Sequence, residues 1–426
     1  MARDLLTEFR WRGLLQDSTP GVEELLAKGP VPGYIGFDPT ADSLHVGSLV
    51  PVMLLVHFQH CGHAPIALVG GATGMVGDPS GKKAERQLLD EDTLQHNVEA
   101  LRKQLERFLD FSPGATAARI VNNYDWFKDM GFLRFIRDVG KHVSVNYMMA
   151  KDSVKNRLEE GISFTEFSYQ LVQGYDFHWL HRNMDCHLQM GGSDQWGNIT
   201  TGIELIRRLD GGEAYAITAP LLTKADGSKF GKSEGGNVWL DPVRTSPYRF
   251  YQFWLNASDA DAGRFARIFT TWERAEVESL EMEHAKSPHL RRLQKEVAAD
   301  ITRRVHGEEE LRAALQASEI LFGSGTTKAL ASLNEQQLLD VFEGVPQGEV
   351  GRDGLAAGLP ILDLLTDGSG FLPSKGEARR ALKENSIALN RAKVDEERTV
   401  GTDDLIAGRY LLLQRGKKNY FLVKVV

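Results

Sequence analysis

Apolar and polar positions change rhythm along this chain. In the first half, short apolar runs that end in polar clusters alternate with stretches of helical spacing. Tyr34-Ile35-Gly36-Phe37 runs into Asp38-Pro39-Thr40. Leu49, Val52, Leu55, Val56 and Phe58 predict a helix that stops near Cys61-Gly62-His63. Pro65 to Val69 reads as a buried strand leaving into Gly70-Gly71. Ala118 to Asn122 and Asp185 to Met190 are further strand candidates. Strands separated by helices imply an α/β fold, a parallel sheet wrapped by helices. Ligands bind such sheets beyond the carboxyl ends of the strands. The clusters Asp38–Ser48, Gly70–Asp78 and Gly191–Gln195 all follow strand candidates, so they are expected together on one sheet edge.

From about Pro247 to Phe322 strand signals give way to helical spacing, with basic residues at Arg264, Arg267, Arg291, Arg292, Lys295, Arg303 and Arg304. A solvated face explains any one of these as well as a nucleic-acid contact does. Residues 323–354 read as a connector, with glycine and acidic residues marking a linker around 344–354. The remainder reads as a small separate domain. The expected boundaries are therefore 1–246, 247–322, 323–354 and 355–426.

Composition, at 42% hydrophobic and 25% charged residues over 426, fits a globular chain of two or three domains. No apolar run approaches the roughly 18–20 residues that cross a bilayer, and no secretory signal is seen, so no membrane partner and a cytoplasmic location are expected. Two distant cysteines, Cys61 and Cys186, exclude a disulfide framework and a cysteine-rich zinc site. The net charge is −8, yet residues 371–426 carry 12 Lys+Arg against 7 Asp+Glu. A basic terminal module on an acidic body directs that module toward phosphates.

Three segments carry chemistry. Lys224 to Gly236 is glycine-rich, and its only apolar side chains are Ala225 and Phe230. Lys229 and Lys232, three residues apart on pliable backbone, suit a polyanion such as the triphosphate of ATP. Gly227 to Gly231 is one residue too short for a phosphate-binding P-loop. His45 and Gly47 fall at a helix start, where free amides attract phosphate; His45 and Thr40 can donate to it. Tyr169, Gln173 and Asp176, spaced by four and three, share one polar face of an otherwise apolar helix and point into a cavity. Asp176 with a partner hydroxyl such as Tyr34 can bind a phenol that both donates and accepts.

His45-Val46-Gly47-Ser48 and Lys229-Phe230-Gly231-Lys232-Ser233 together resemble the two signatures of class I aminoacyl-tRNA synthetases, with Ser48 where the family usually has a second histidine. Gly36 to His45, Val69 to Ser80, Tyr169 to Asp176 and Gln189 to Asn198 add resemblance to the bacterial-type tyrosyl branch. The resemblance implies a Rossmann-like catalytic domain, an α-helical domain, and a small α+β domain similar to the S4 type of RNA-binding domain. It gives Tyr34 and Asp176 the tyrosine hydroxyl, and Asp78, Tyr169 and Gln173 the ammonium group. Asp38, Gly192, Asp194 and Gln195 line the adenosine and tyrosyl carboxylate region, with Asp194 on the ribose. Gly47 and Ser48 also face ATP; Thr40, His45, Lys229, Lys232 and Ser233 meet the triphosphate. Lys82 and Arg86 take the pyrophosphate.

In the terminal module Arg379, Arg380 and Lys383 fall on or near one helical face suited to tRNA phosphates. The implied activity is activation of L-tyrosine with Mg-ATP, then transfer to tRNA(Tyr), by a homodimer without a tightly bound protein metal. A small-molecule nucleotidyltransferase lacking an RNA substrate, a synthetase-derived RNA-binding protein and a tryptophan-specific relative are the competing readings. The basic module, the intact acidic and basic residues, and the Tyr34–Asp176 pairing respectively disfavour them.

Overall fold

The computed structural model describes residues 3–80, 89–152, 154–155, 161–233, 236–322, 330–331, 333–343, 345–416 and 419–426. Its residues group into two compact units, one of residues 1–245 with 253–305, the other of 246–252 with 306–426. The helical segment expected at 247–322 is thus shared between them rather than compact by itself.

The first unit is built on a six-stranded sheet of β1 (Asp17–Ser18), β2 (Pro32–Phe37), β3 (Ala64–Val69), β4 (Arg119–Asn122), β5 (Leu188–Gly192) and β6 (Tyr215–Ala219). The order is β1-β6-β5-β2-β3-β4, parallel except where β1 pairs with β6. The chain runs outward from β2 through β3 to β4, then returns to start again at β5 on the other side of β2. That reversal makes β2/β5 the switch point where a parallel sheet opens a crevice. The strands expected at Tyr34, Pro65, Ala118 and Asp185 are all present. β6 escaped the sequence pattern because its run, Tyr215-Ala216-Ile217-Thr218-Ala219, is short and half small residues.

Helix Leu49–His60 follows β2 and buries Leu49, Val52, Met53, Leu54, Leu55, Val56 and Phe58. Its apolar residues surround the axis, which marks a core helix rather than a surface one. Helix Phe164–Met184 leads into β5, started by the Ser163 hydroxyl accepting from the Glu166 amide. Helix Trp196–Asp210 leads from β5 to β6. These two helices meet through glycine. A Cβ on Gly202 would lie 2.9 Å from the Phe177 Cβ, and one on Gly174 3.0 Å from Leu205 Cδ1. The close crossing seats Phe177 in a core with Tyr34, Ile66, Leu68, Leu180, Cys186 and Ile206.

A small antiparallel pair, β7 (Lys232–Ser233) and β8 (Gly236–Asn237), completes the strands of this unit. In the second unit, β9 (Gln347–Val350), β10 (Leu359–Pro360), β11 (Ile387–Leu389), β12 (Ala392–Lys393), β13 (Thr399–Val400), β14 (Tyr410–Arg415) and β15 (Asn419–Val425) follow in sequence. Five form a sheet in the order β12-β11-β14-β15-β9, and β9 runs parallel to β15. Residues around 344–354 read as a linker from composition, but β9 makes part of that segment a sheet edge. Helix Lys375–Lys383 packs Ala378, Ala381 and Leu382 into a core with Leu364, Leu365, Leu411, Leu413 and Val423.

Candidate active site

At the carboxyl ends of β2, β3 and β5 opens a cavity of about 610 Å³. Tyr34, Asp38, Thr40, Gly47, Ser48, Asp78, Tyr169, Gln173, Asp176, Gly192, Asp194, Gln195 and Lys229 all line it. Residues spread over nearly 200 positions of sequence thus converge on one site, as the switch-point geometry requires.

One end is closed and dry. Asp176 is 1% exposed. Its Oδ1 accepts from Trp126 Nε1 at 2.9 Å and its Oδ2 from Asn123 Nδ2 at 3.0 Å. Burial pushes this carboxyl well above the usual range, the two donors pull it back, and the charge of Asp38 raises it further. The Trp126 indole is held by stacking on Trp179 at 4.2 Å. Tyr34, also 1% exposed, packs its ring 5.3 Å from Phe177, and its hydroxyl has no hydrogen-bond partner among the described residues. Burial first, and the Asp176 charge second, hold that phenol well above its ordinary pKa, so it stays a neutral donor and acceptor. Gln173 Oε1 and Gln189 Oε1 are likewise buried without a partner among the described residues, and both residues line the cavity. Buried polar atoms are normally paired. Several unpaired ones around a single cavity describe a surface made for a polar ligand.

The middle of the cavity is acidic. Tyr169 donates its hydroxyl to Asp38 Oδ2 at 2.8 Å, and Thr73 donates to Asp38 Oδ1 at 2.8 Å. Asn123 Nδ2 reaches Thr73 Oγ1 at 3.1 Å, so one hydrogen-bonded chain runs from Tyr169 to Asp176. Asp78 accepts from Gln195 Nε2 at 2.8 Å and from the Ser80 amide at 2.9 Å. Asn198 Nδ2 in turn donates to Gln195 Oε1 at 3.1 Å. Burial raises the Tyr169 phenol well above its ordinary value, with the charges of Asp38 and Asp78 adding to it. Burial and then Asp78 also raise Asp194. Clustered carboxylates of this kind attract a cationic group.

At the open end the two signature segments touch. His45 is extended, φ −118°, ahead of the short turn Val46–Ser48. The Val46 amide donates to the Val238 carbonyl at 2.9 Å and Leu240 to Leu44 at 2.8 Å. Val238 donates in turn to the Gly231 carbonyl at 3.2 Å. Gly231 has φ +89°, and a Cβ there would sit 3.1 Å from the Gly47 amide nitrogen. Only glycine gives both that backbone conformation and that approach. His45 lies beside Trp239, ring centroids 5.9 Å apart, and Ser48 Oγ is 3.5 Å from its Nδ1. The segment after Thr223 is a defined turn: Lys224 donates to the Ser228 carbonyl at 2.9 Å, and Ala225 to Asp261 Oδ1 at 3.0 Å. Lys229 is exposed at the cavity rim, and Lys232 and Ser233 continue as β7.

Lys82 and Arg86 lie outside the described residues. Arg379, Arg380 and Lys383 are exposed in the second unit on helix Lys375–Lys383, and Arg379 is paired there with Glu396 at 2.9 Å. Sequence reasoning missed Thr73, Ser80, Asn123, Trp126, Gln189 and Asn198. Asn123 follows directly on β4, so a polar residue at a strand's carboxyl end was the available signal.

A switch-point cavity with an acidic middle and a basic glycine loop at its mouth suits a cationic group beside a phosphate-bearing one. Residues 27–323 match the family model for tRNA synthetases class I (W and Y), which places the chain in that class. Residues 337–423 match the Tyrosine--tRNA ligase SYY-like C-terminal domain. The Tyrosine--tRNA ligase of Porphyromonas gingivalis is 60% identical over 428 residues, covering 99% of this chain and 100% of that one. That of Bacteroides thetaiotaomicron is 58% identical over 426 residues, covering 99% of each. A C-terminally truncated mitochondrial tyrosyl-tRNA synthetase of Aspergillus nidulans superposes with a TM-score of 0.69 at 28% identity, over 75% of this chain and 94% of that one. The chain belongs to the tyrosine--tRNA ligase family.

Proposed function

We propose that the cavity activates L-tyrosine with ATP and that the tyrosyl group then passes to the 3′ end of tRNA(Tyr). The observation that carries this reading is the pairing of two opposite hydrogen-bonding partners at the dry end. Asp176 can only accept while ionised, and the unpartnered Tyr34 hydroxyl can do either. A phenol hydroxyl can serve both; a bare phenyl ring serves neither and leaves the buried Tyr34 hydroxyl unpaired.

Asp78, Tyr169 and Gln173 receive the ammonium group, in the acidic middle. Asp38, with both oxygens engaged by Thr73 and Tyr169, holds that wall in register beside the adenosine and the tyrosyl carboxylate. Gly47, Ser48, Gly192, Asp194 and Gln195 take the adenosine, Asp194 its ribose. Thr40, His45, Lys229, Lys232 and Ser233 face the phosphates, and Lys82 and Arg86 take the leaving pyrophosphate. ATP enters as its magnesium complex. The tyrosine carboxylate oxygen attacks the α-phosphorus; a new P–O bond forms as the bond to pyrophosphate breaks. A terminal ribose hydroxyl of the tRNA then attacks the activated carbonyl carbon and AMP departs. No side-chain nucleophile is needed. Positioning and cationic donors that meet charge growing on the β- and γ-phosphates carry the rate.

The second unit, through Arg379, Arg380 and Lys383, grips tRNA phosphates. A homodimer is supported by an exposed apolar face in the first unit: Phe132 is 64% exposed, Leu133 80%, Val145 58% and Phe164 64%. Three of them, Phe132, Leu133 and Val145, come from the same stretch of chain that gives Val139, Val143 and Met148 to a small core with Leu205, and large apolar side chains exposed in this way mark an interaction surface. No described helix is long and apolar enough to cross a membrane, and the reading puts the enzyme in the cytoplasm with the tRNA pool. ATP–pyrophosphate exchange across the amino acids, followed by tRNA charging, tests the whole. Exchange with tyrosine alone and charging of tRNA(Tyr) are expected; equal exchange with phenylalanine or tryptophan would overturn the reading.

A further inference from the structure

We propose that Phe230 is the positioning residue of the lysine-bearing loop: its ring plugs an aromatic socket and so fixes where Lys229 stands at the nucleotide end of the cavity. The proposal rests on Lys229 serving the ATP phosphates.

The loop around Phe230 is otherwise polar. Ala225, Asp226, Gly227, Ser228 and Lys229 are exposed, whereas Phe230 is half-buried. Its ring lies 5.7 Å from Phe253, 5.8 Å from Trp254, 5.1 Å from Phe265 and 5.4 Å from Phe269. The last pair is stacked, with 18° between the planes. The socket is core, not surface: Trp254 and Phe269 are 1% exposed and Phe265 3%. Phe265 and Phe269 stand on helix Asp259–Phe269, one turn apart.

The end of that helix is itself clamped. Terminal helix carbonyls lack partners within the helix. Here the buried Arg12 guanidinium donates to the carbonyls of Arg267, Thr270 and Trp272 at 2.5, 2.9 and 2.9 Å. Arg304 donates to the carbonyl of Phe269 at 2.9 Å. The socket therefore belongs to a wall that moves little, and the plug ties a glycine-rich segment to it. Lys229 precedes the plug directly, and the next residue, Gly231, packs on the Gly47 backbone. One ring thus sets two distances, from the lysine to the phosphates and from the second signature to the first. Holding a reacting group in place is worth orders of magnitude in rate, and a loop without such a tie must be ordered anew at each turnover.

A ring that merely filled a core hole would matter equally to every activity of the enzyme. A positioning ring matters to the step that uses the lysine. The experiment measures tyrosine-dependent ATP–pyrophosphate exchange, and the dissociation constant of tyrosine alone, on the full chain. The variants are Phe230→Ala, Phe230→Met and Lys229→Ala. Phe230→Ala is expected to lower the exchange rate at least about tenfold with the tyrosine constant within about twofold. Phe230→Met, which refills the socket with an apolar chain of similar reach, should return to within about threefold of the parent. Exchange unchanged in Phe230→Ala, a tyrosine constant weakened as much as the rate, or no rescue by Phe230→Met would each overturn the proposal. Should Phe230→Ala fail to fold, Phe265→Leu trims the socket without touching the loop. It must show the same split between rate and tyrosine binding, and a parental rate there overturns the proposal. Lys229→Ala separates the two layers. Normal exchange in that variant defeats the phosphate reading itself, whereas a defect there beside a normal Phe230→Ala defeats only the socket.

Discussion

Tyr34 and Asp176 are each costly to the free protein, and each cost has a measurable sign. The buried Tyr34 hydroxyl has no partner among the described residues, so Tyr34→Phe should stabilise the unliganded fold, by about 1 kcal/mol. The same change should weaken tyrosine binding, because the ligand hydroxyl loses a partner. Thermal unfolding and tyrosine titration must move in opposite directions; a destabilised Tyr34→Phe would mean that the hydroxyl is already satisfied. Asp176 gives a pH signature. Its pKa is raised by burial, so the free protein takes up this proton at a pH above the ordinary carboxylate range. Only the ionised form accepts from the phenol on both sides, so tyrosine affinity should fall as pH drops through that raised value. Asp176→Asn should bind weakly and lose that dependence; a variant with the parental pH profile would remove Asp176 from the role. The burial of Asp176 was legible in the sequence because a carboxylate between Tyr175 and Phe177 is poorly placed for solvent. Asn123 and Trp126 were not, since only tertiary packing turns Trp126 onto Trp179 and aims its N–H at Asp176.

At the scale of elements, two glycine contacts carry different jobs. The crossing of helices Phe164–Met184 and Trp196–Asp210 depends on Gly174 and Gly202. Gly202→Ala would drive a methyl against Phe177 and should cost about 1–3 kcal/mol of stability. Because Phe177 backs Tyr34, tyrosine affinity should fall with it; urea unfolding and binding together check this, and an unchanged midpoint would show that the helices can part freely. Gly231 joins the two signatures rather than stabilising the core. Gly231→Ala must strain a φ of +89° and crowd the Gly47 amide, so adenylate formation should fall by about tenfold or more. Its unfolding temperature should stay near the parent's, and a large drop would mark the residue as structural instead. The segment Lys224–Gly236 reads in sequence as a loop almost without anchors. One of its two apolar residues proves to be the anchor, and composition could not reveal that because the socket is supplied by residues 253–269. Strands β2 to β5 were visible as apolar runs bounded by glycine or polar clusters. β9 was not, since Gln347-Gly348-Glu349-Val350 has no such run and gains its pairing from β15.

For the whole molecule, β9 decides where the chain can be divided. A truncation after about Gly354 would keep β9 and remove all four other strands of its sheet, leaving an unpaired strand that invites aggregation. A cut ahead of β9 avoids this. It should retain tyrosine-dependent exchange while abolishing tRNA charging; loss of both activities in a soluble product would refute the division of labour. The sheet order has a temporal consequence as well. Gly33 and Leu188 are register partners across the switch point, and the chain between them forms β3 and β4 before it returns. Bringing such distant segments together carries a large loop-closure cost and is slow. The proposed tyrosine pocket straddles that one joint, with Tyr34 on its early side and Gln189 on its late side. During refolding, recovered tyrosine binding should therefore trail the return of helical signal, and the amino acid acts as a clock that starts only when β5 has found the first half of the sheet.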